Sequence, residues 1–218
     1  MKDFSQKRGS REYLPAAHWN SMTFLFDRLL VLMGFGNRFR GEIIAHLNLG
    51  GREKVLDAGC GTGTLLVALR NKYPGLSAEG IDPDDAALGI ARNKFRDNGQ
   101  DIALHGARMD RMPFPDNRFD SVVSTLAFHH IPDDSKEPSL RECFRVLKPG
   151  GRMLLVDFGA DRGKTLENLF HIFFSRFEPV IDEGGLKSVM QSSGFGNIRV
   201  VGRHLYGIKY VEGTKGSP

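Results

Sequence analysis

The sequence predicts an α/β fold, a mostly parallel sheet with helices on both faces. Three observations predict it. Short apolar runs alternate with helix-forming segments from Lys54 to Asp157, the succession that builds strand–helix–strand units. The first of these runs, Val55-Leu56-Asp57, ends in an acid and passes through the turn Ala58-Gly59-Cys60-Gly61-Thr62-Gly63 into a helix. Near the end of the chain, Ile198–Val201 and His204–Val211, joined by Gly202-Arg203, read as an antiparallel edge hairpin and complete a set of seven strands.

Each element has its own signal. Residues 1–12 are polar and unpatterned, as in a mobile tail. Residues 13–50 form an N-terminal helical cap. Its first part, rich in residues such as Trp19, Phe24, Phe26 and Leu29, is apolar on most helical faces and is stopped by Gly34 and Gly36. Its second helix, about Arg38 to Leu47, places Phe39, Ile43, Ile44 and Leu47 at helical spacing. The cap either closes as a lid over the mouth of the sheet or packs on a sheet edge, and periodicity does not distinguish the two.

The main domain is expected over residues 51–212. Its first strand is Lys54–Asp57, and its first helix runs from about Thr64 to Tyr73, ended by Pro74-Gly75. Ser77–Ile81 is the second strand, ending in Asp82. Pro83-Asp84 opens a helix whose buried stripe is Ala87, Ile90, Ala91 and Phe95. A third strand lies near Ile102–His105 and a fourth at Phe119–Thr125. A helix near Pro138–Leu147 and the turn Lys148-Pro149-Gly150-Gly151 lead to a fifth strand, Arg152–Asp157. Leu166, Leu169, Phe170, Phe173 and Phe177 then make a helical stripe. Ile172 and Phe174 fall off it, leaving a homodimer patch, a substrate wall and ordinary core as alternatives. A short helix near Leu186–Ser193 precedes the hairpin, and 213–218 reads as a second mobile tail.

Composition sets bounds on partners. A net charge of +4, scattered along the chain, is no nucleic-acid footprint, and no nucleic-acid partner is expected. No apolar run is long enough to span a membrane. The two cysteines, Cys60 and Cys143, make no metal-ligand spacing, and no metal site is expected. With no signal-peptide pattern, a reducing cytoplasm is the expected compartment.

The glycine turn carries the chemistry. A strand–turn–helix places backbone N–H groups and the positive end of a helix dipole where an anionic group can bind. Dinucleotide sites want Gly-x-Gly-x-x-Gly, but here the glycines fall at 59, 61 and 63 and position 64 is Thr. Asp57, two residues before the first glycine, would repel a pyrophosphate and suits a ligand with an ammonium group. S-adenosylmethionine has an ammonium, a carboxylate, a ribose and an adenine. Asp82, nineteen residues past Gly63, ends the second strand, where a carboxylate can accept the ribose hydroxyls. The alternative is that it caps the following helix.

The string Val55-Leu56-Asp57-Ala58-Gly59-Cys60-Gly61-Thr62-Gly63 resembles motif I of the class I S-adenosylmethionine-dependent methyltransferases. The resemblance implies a Rossmann-like fold with S-adenosyl-L-methionine as cofactor. Asp57, Gly59, Cys60, Gly61, Gly63, Asp82, Pro83, Met109, Asp110 and Thr125 are then its binding residues. Members of that family usually place an Asp where this chain has Arg108, in the stretch leading to Met112-Pro113-Phe114. A guanidinium has only donors and cannot accept from the adenine amine. It stacks on the ring instead, or leaves the hydrogen bond to Asp110 or a backbone carbonyl.

After the fourth strand, Ser124-Thr125-Leu126-Ala127-Phe128-His129-His130-Ile131-Pro132-Asp133 resembles the small-molecule group that includes ubiquinone and menaquinone C-methyltransferases. His129 is the candidate catalytic residue, able to take a proton from a substrate hydroxyl or ring carbon, and a helix-cap or core histidine is its alternative. Tyr13, His18, His130 and His171 are the candidate substrate contacts. The implied partner is a small, hydrophobic methyl acceptor. A non-catalytic S-adenosylmethionine-binding module, motivated by Arg108, and a nicotinamide-dependent oxidoreductase are the rival readings.

Overall fold

The computed structural model describes residues 35–159 and 182–217, apart from the side chain of Tyr206. The expected sites Tyr13, His18 and His171, the first part of the cap, and the stripe from Leu166 to Phe177 lie outside the described residues. The elements are α1 (Asn37–Leu47), β1 (Lys54–Ala58), α2 (Thr64–Lys72), β2 (Ser77–Asp82), α3 (Asp85–Asp97), β3 (Ala103–Gly106) and β4 (Phe119–Thr125). A 3₁₀ turn (Phe128–His130) leads to α4 (Asp133–Val146) and β5 (Leu147–Phe158). Then come α5 (Glu183–Ser192), β6 (Gly196–Arg203) and β7 (Ile208–Thr214).

The seven strands form one sheet in the order β3-β2-β1-β4-β5-β7-β6. The first five are parallel, and β7 runs antiparallel between β5 and β6. The order reverses between β1 and β4, so their C-terminal ends flank the crevice where such sheets bind ligands.

Both faces are covered because the central strands alternate two apolar sets. Val55, Val123, Leu154 and Val156 join Ile208 and Tyr210 under α1, α2 and α3. Leu56, Val122, Met153 and Leu155 join Val211 under α4 and α5. Helix α1 is packed core, with Phe39, Ile43, Ile44 and Leu47 buried. Its Glu42 accepts from His204 at 2.8 Å and from the Tyr210 hydroxyl at 3.3 Å, which ties it to the β6–β7 connection.

Several boundaries differ from expectation for local reasons. Helix α4 starts at Asp133 rather than Pro138, with Asp133 and Asp134 in the first turn where the helix dipole favours acids. Pro138 sits inside it and leaves the Asp134 carbonyl without its helical donor. Strand β5 begins at Leu147, and Lys148-Pro149-Gly150-Gly151 is a bulge against β4 rather than a turn before the strand. In α3 the buried residues are Leu88, Ala91 and Phe95, while Ala87 and Ile90 stay half-buried. Strand β7 passes the expected end of the domain at 212. Lys215 beyond it donates to the carbonyls of Phe144 at 2.9 Å and Leu147 at 2.7 Å, so this stretch is tied to the sheet.

Candidate active site

The turn after β1 is held by close packing on both sides. At Gly59, φ is +80°, and a Cβ there would stand 2.4 Å from the Cβ of Ala127 on the segment after β4. At Gly63, φ is +70°, and a Cβ would stand 2.6 Å from the Phe95 ring, so the missing side chain lets α2 pack on α3. A Cβ at Gly61 would meet nothing within 4 Å, which marks the open side of the turn.

Most N–H groups of the turn itself have protein partners, which leaves the helix N-terminus as the end open to a ligand. Gly59 and Cys60 both donate to the Ile81 carbonyl at 2.9 Å, and Gly63 donates to the Cys60 carbonyl at 2.9 Å. Gly61 donates to Asp82 Oδ2 at 2.8 Å. The N-terminus of α2, which no side chain caps, is the end that suits an anionic group.

Asp82 stitches two turns together, since its Oδ1 accepts from Asp84 N at 2.9 Å. It does not cap α3, because Asp84 does so through Ala86 N and Ala87 N at 2.9 and 3.2 Å. Pro83 therefore lies just before the helix rather than in its first turn. Each Asp82 oxygen uses one lone pair inside the protein and keeps another. Burial pushes its pKa up, against the pull of those two backbone donors.

Asp57 is 2% exposed, and among the described residues no group donates a hydrogen bond to it. Burial, with the charge of Asp82 added, pushes its pKa up to about 7. A buried carboxylate without donors is costly. The same two causes, burial first and then the Asp57 and Asp82 charges, hold the Cys60 thiol well above its usual range.

Met109 is buried, its methyl 3.8 Å from where a Gly59 Cβ would stand. Arg108 has a partner of a kind not foreseen. Its Nε and Nη2 donate to the two oxygens of Asp110 at 2.9 and 2.6 Å, a bidentate pair that holds the Asp110 carboxyl below its usual range. Thr125 ends β4 with a buried hydroxyl that has no partner. Leu126 follows with φ +52°, a strained conformation for a branched side chain that re-aims the chain beside the glycine turn.

That bend sets His129 over the end of β5. Its Nδ1 lies 2.7 Å from Asp157 Oδ1, and its backbone N donates to Asp157 Oδ2 at 3.0 Å. Asp157 is a functional candidate that the sequence reading lacked. The available signal was an acid ending the strand next to the one followed by His129-His130. Burial would raise the Asp157 pKa, but the His129 charge and its hydrogen bonds from His129 and Phe158 outweigh burial and hold it low. His130 as a residue is exposed, and its ring lies against the His129 ring at 3.9 Å, so only part of it is withdrawn from water. That burial, followed by the neighbouring His129, lowers its pKa to about 4. The structure thus brings Asp57, the glycine turn, Asp82, Pro83, Met109, Asp110, Thr125, His129 and His130 to one end of the sheet.

The donor set fits S-adenosylmethionine. Asp57 lacks the donor that an ammonium would supply, Asp82 retains acceptor capacity at the end of β2, and the α2 N-terminus suits a carboxylate. Sheet order, glycine turn and acids together define the class I methyltransferase fold. Comparison with known proteins agrees. The family described as "Methyltransferase domain" matches residues 55–151. A demethylmenaquinone methyltransferase of Thermus thermophilus is 32% identical over 165 residues, covering 75% of this chain and 73% of that protein. A ubiquinone/menaquinone biosynthesis C-methyltransferase of Geobacter sulfurreducens is 31% identical, covering 75% of this chain and 64% of that protein. The chain thus spans about two thirds of the length of the curated relatives it matches. The solved S-adenosylmethionine-dependent methyltransferase SibL shares the fold at a TM-score of 0.71 and 20% identity, covering 85% of this chain and 57% of that one. The chain belongs to the S-adenosylmethionine-dependent methyltransferase family that includes the ubiquinone and menaquinone C-methyltransferases.

Proposed function

We propose that this chain transfers the methyl group of S-adenosylmethionine to a small, hydrophobic, ring-bearing acceptor. The observation that carries the reading is Asp57, a buried carboxylate beside the glycine turn with no donor among the described residues and a pKa raised to about 7. The names of the similar methyltransferases support a quinone-like acceptor.

In this reading Asp57 takes the ammonium of the cofactor, the α2 N-terminus its carboxylate and Asp82 its ribose. Met109, with Gly59 beside it, bounds the adenine side, and Asp110 follows it in the chain, held by Arg108. Bound S-adenosylmethionine supplies an electrophilic methyl whose sulfur leaves without protonation. The chain's own task is mainly alignment, which can supply on the order of 7–11 kcal/mol of the barrier. His129 is the residue placed to receive an acceptor proton, and His130 beside it borders the acceptor.

Arg108 is the feature that argues for a non-catalytic binding module, and its pairing with Asp110 removes that motive. A nicotinamide site is disfavoured by Asp57, which would face a pyrophosphate. Cys60 and Cys143 are both free and buried, in keeping with a reducing cytoplasm. No described helix is long and apolar enough to cross a membrane.

The test has two stages. Calorimetry with S-adenosylhomocysteine should show one site. Turnover should then appear with a chemically reduced short-chain demethylmenaquinone or another ring acceptor from a metabolite panel. Absence of S-adenosylhomocysteine binding by folded protein ends the reading, and binding without turnover on any acceptor turns it into the module reading.

A further inference from the structure

We infer that Asp157 is the positioning residue of His129, fixing the imidazole so that Nδ1 carries the hydrogen and Nε2 is the atom that receives the acceptor's proton. The inference rests on the transferase reading and adds to it a residue 28 positions away in sequence.

The geometry decides the tautomer. Asp157 Oδ1 accepts from Phe158 N at 2.7 Å as well as facing His129 Nδ1 at 2.7 Å, while Oδ2 accepts from His129 N at 3.0 Å. Two backbone donors and the imidazole hydrogen favour the ionised form of this buried carboxylate. An ionised carboxylate has no hydrogen to give, so the hydrogen between it and the ring belongs to Nδ1. In that tautomer Nε2 is the nitrogen left to accept a proton.

The ring cannot easily turn to exchange its nitrogens. Phe158 meets it edge-on at 5.1 Å and 81°, and His130 lies on it at 3.9 Å. The backbone bond from His129 N to the same carboxylate fixes the base of the side chain too. Among the described residues, no hydrogen-bond partner faces His129 Nε2.

Its place is also right for the reaction. Ala127, two residues before His129, is the neighbour that a Gly59 Cβ would strike, so this segment lies directly on the cofactor turn. Among the described residues, the other titratable groups around the pair are His130 on the same turn and Lys209, paired with Asp157 in register on β7. Glu183 at the start of α5 meets Lys209 at 3.4 Å. For a reduced quinone-like ring, the acceptor's hydroxyl proton would move to Nε2, and the oxygen pair so freed would push into the ring. A ring-carbon π pair would then form the bond to the methyl carbon while the S–CH₃ bonding pair stays on sulfur, and the hydrogen on the methylated carbon would leave to solvent as a proton to restore the aromatic ring. The imidazolium that results is balanced by the Asp157 carboxylate.

Nitrogen NMR of histidine-labelled, ligand-free protein reads the tautomer directly. The expected result is an Nδ1-protonated His129 with a bare Nε2, and a ring protonated on Nε2 overturns the inference whether or not any variant folds. In Asp157→Asn, the amide can donate to Nδ1, so the tautomer should flip. S-adenosylhomocysteine affinity should stay within about twofold, and kcat on reduced short-chain demethylmenaquinone should fall at least about 100-fold. The acid limb of kcat should move to lower pH, since the imidazolium loses its counter-charge, and Asp157→Glu should recover part of the rate. Unchanged kcat and an unmoved limb in folded Asp157→Asn also overturn it. Should the wild-type protein turn over no acceptor, the transferase reading falls, while the tautomer still judges Asp157.

Discussion

Asp57 and Asp157 each lie at the C-terminal end of a strand of the same sheet, and both are almost wholly buried, yet their carboxylates are held in opposite states. Asp157 has three donors within the protein and a lowered pKa. Asp57 has none among the described residues, and its pKa is raised to about 7. The difference teaches how to tell a completed polar site from one that needs a ligand. Burial alone pushes both acids the same way, and for Asp157 the His129 charge and the donors decide the outcome.

The sharpest way to break this comparison is to delete each carboxylate. Asp157→Ala leaves two backbone N–H groups and a histidine ring without their acceptor, and should cost about 3–5 kcal/mol in denaturant unfolding. Asp57→Ala removes no partner. Its ligand-free stability should stay within about 1 kcal/mol of wild type or rise, while S-adenosylhomocysteine affinity falls about 10–100-fold by calorimetry. Equal stability losses at the two positions would erase the contrast.

Asp82 should fall between them. Asp82→Ala should weaken S-adenosylhomocysteine binding by about 1–3 kcal/mol with the fold retained.

The two acids also predict opposite pH dependences. Asp57 has a raised folded pKa, so its contribution to ligand-free stability is full below its unfolded value and is lost as pH rises through about 7. Asp157 has a lowered one, so its contribution is present above its unfolded value and is lost as pH falls through the folded value. Thermal melts of Asp57→Asn between pH 4 and 7 should lack the decline that Asp57 imposes on the ligand-free wild type. Binding adds a further sign. An ammonium beside Asp57 favours its ionised form, so binding near pH 6 should release up to about one proton in wild type and almost none in Asp57→Asn. Calorimetry in buffers of different ionisation enthalpy measures this.

The smallest effect is expected at Arg108. Its pair with Asp110 is partly exposed, so Arg108→Ala should change stability by less than about 1 kcal/mol and S-adenosylhomocysteine affinity by less than about threefold. A larger loss of affinity would return Arg108 to the adenine site.

Much of the cofactor side was legible because its signals are local. Glycines at 59, 61 and 63 between a strand and a helix, with acids at Asp57 and Asp82, lie within one short stretch of chain. What the sequence hid was how donors and acceptors are shared out. Asp82 and Asp84 both fit a cap by position, and only the path of the chain assigns the cap to Asp84. Likewise Arg108 reads as a departure from a pattern until its bond to Asp110 is seen. The His129–Asp157 contact depends on β4 and β5 being neighbours and on the bend at Leu126, neither of which leaves a periodic trace. The boundaries of α4 and β5 differ from the sequence expectation for one reason: Pro and Gly read as punctuation, and here they lie inside a helix and a bulged strand.

The position of β7 has a consequence for how the molecule assembles. Strand β6 precedes β7 in the chain but reaches the sheet only through it, because β7 occupies the place beside β5. Until Ile208–Thr214 docks, the backbone of β5 from Arg152 to Phe158 is an open, adhesive border, and β6 is an orphan ribbon. Crosslinking or proteolysis during refolding should find the outer strand arriving together with the inner one, never ahead of it.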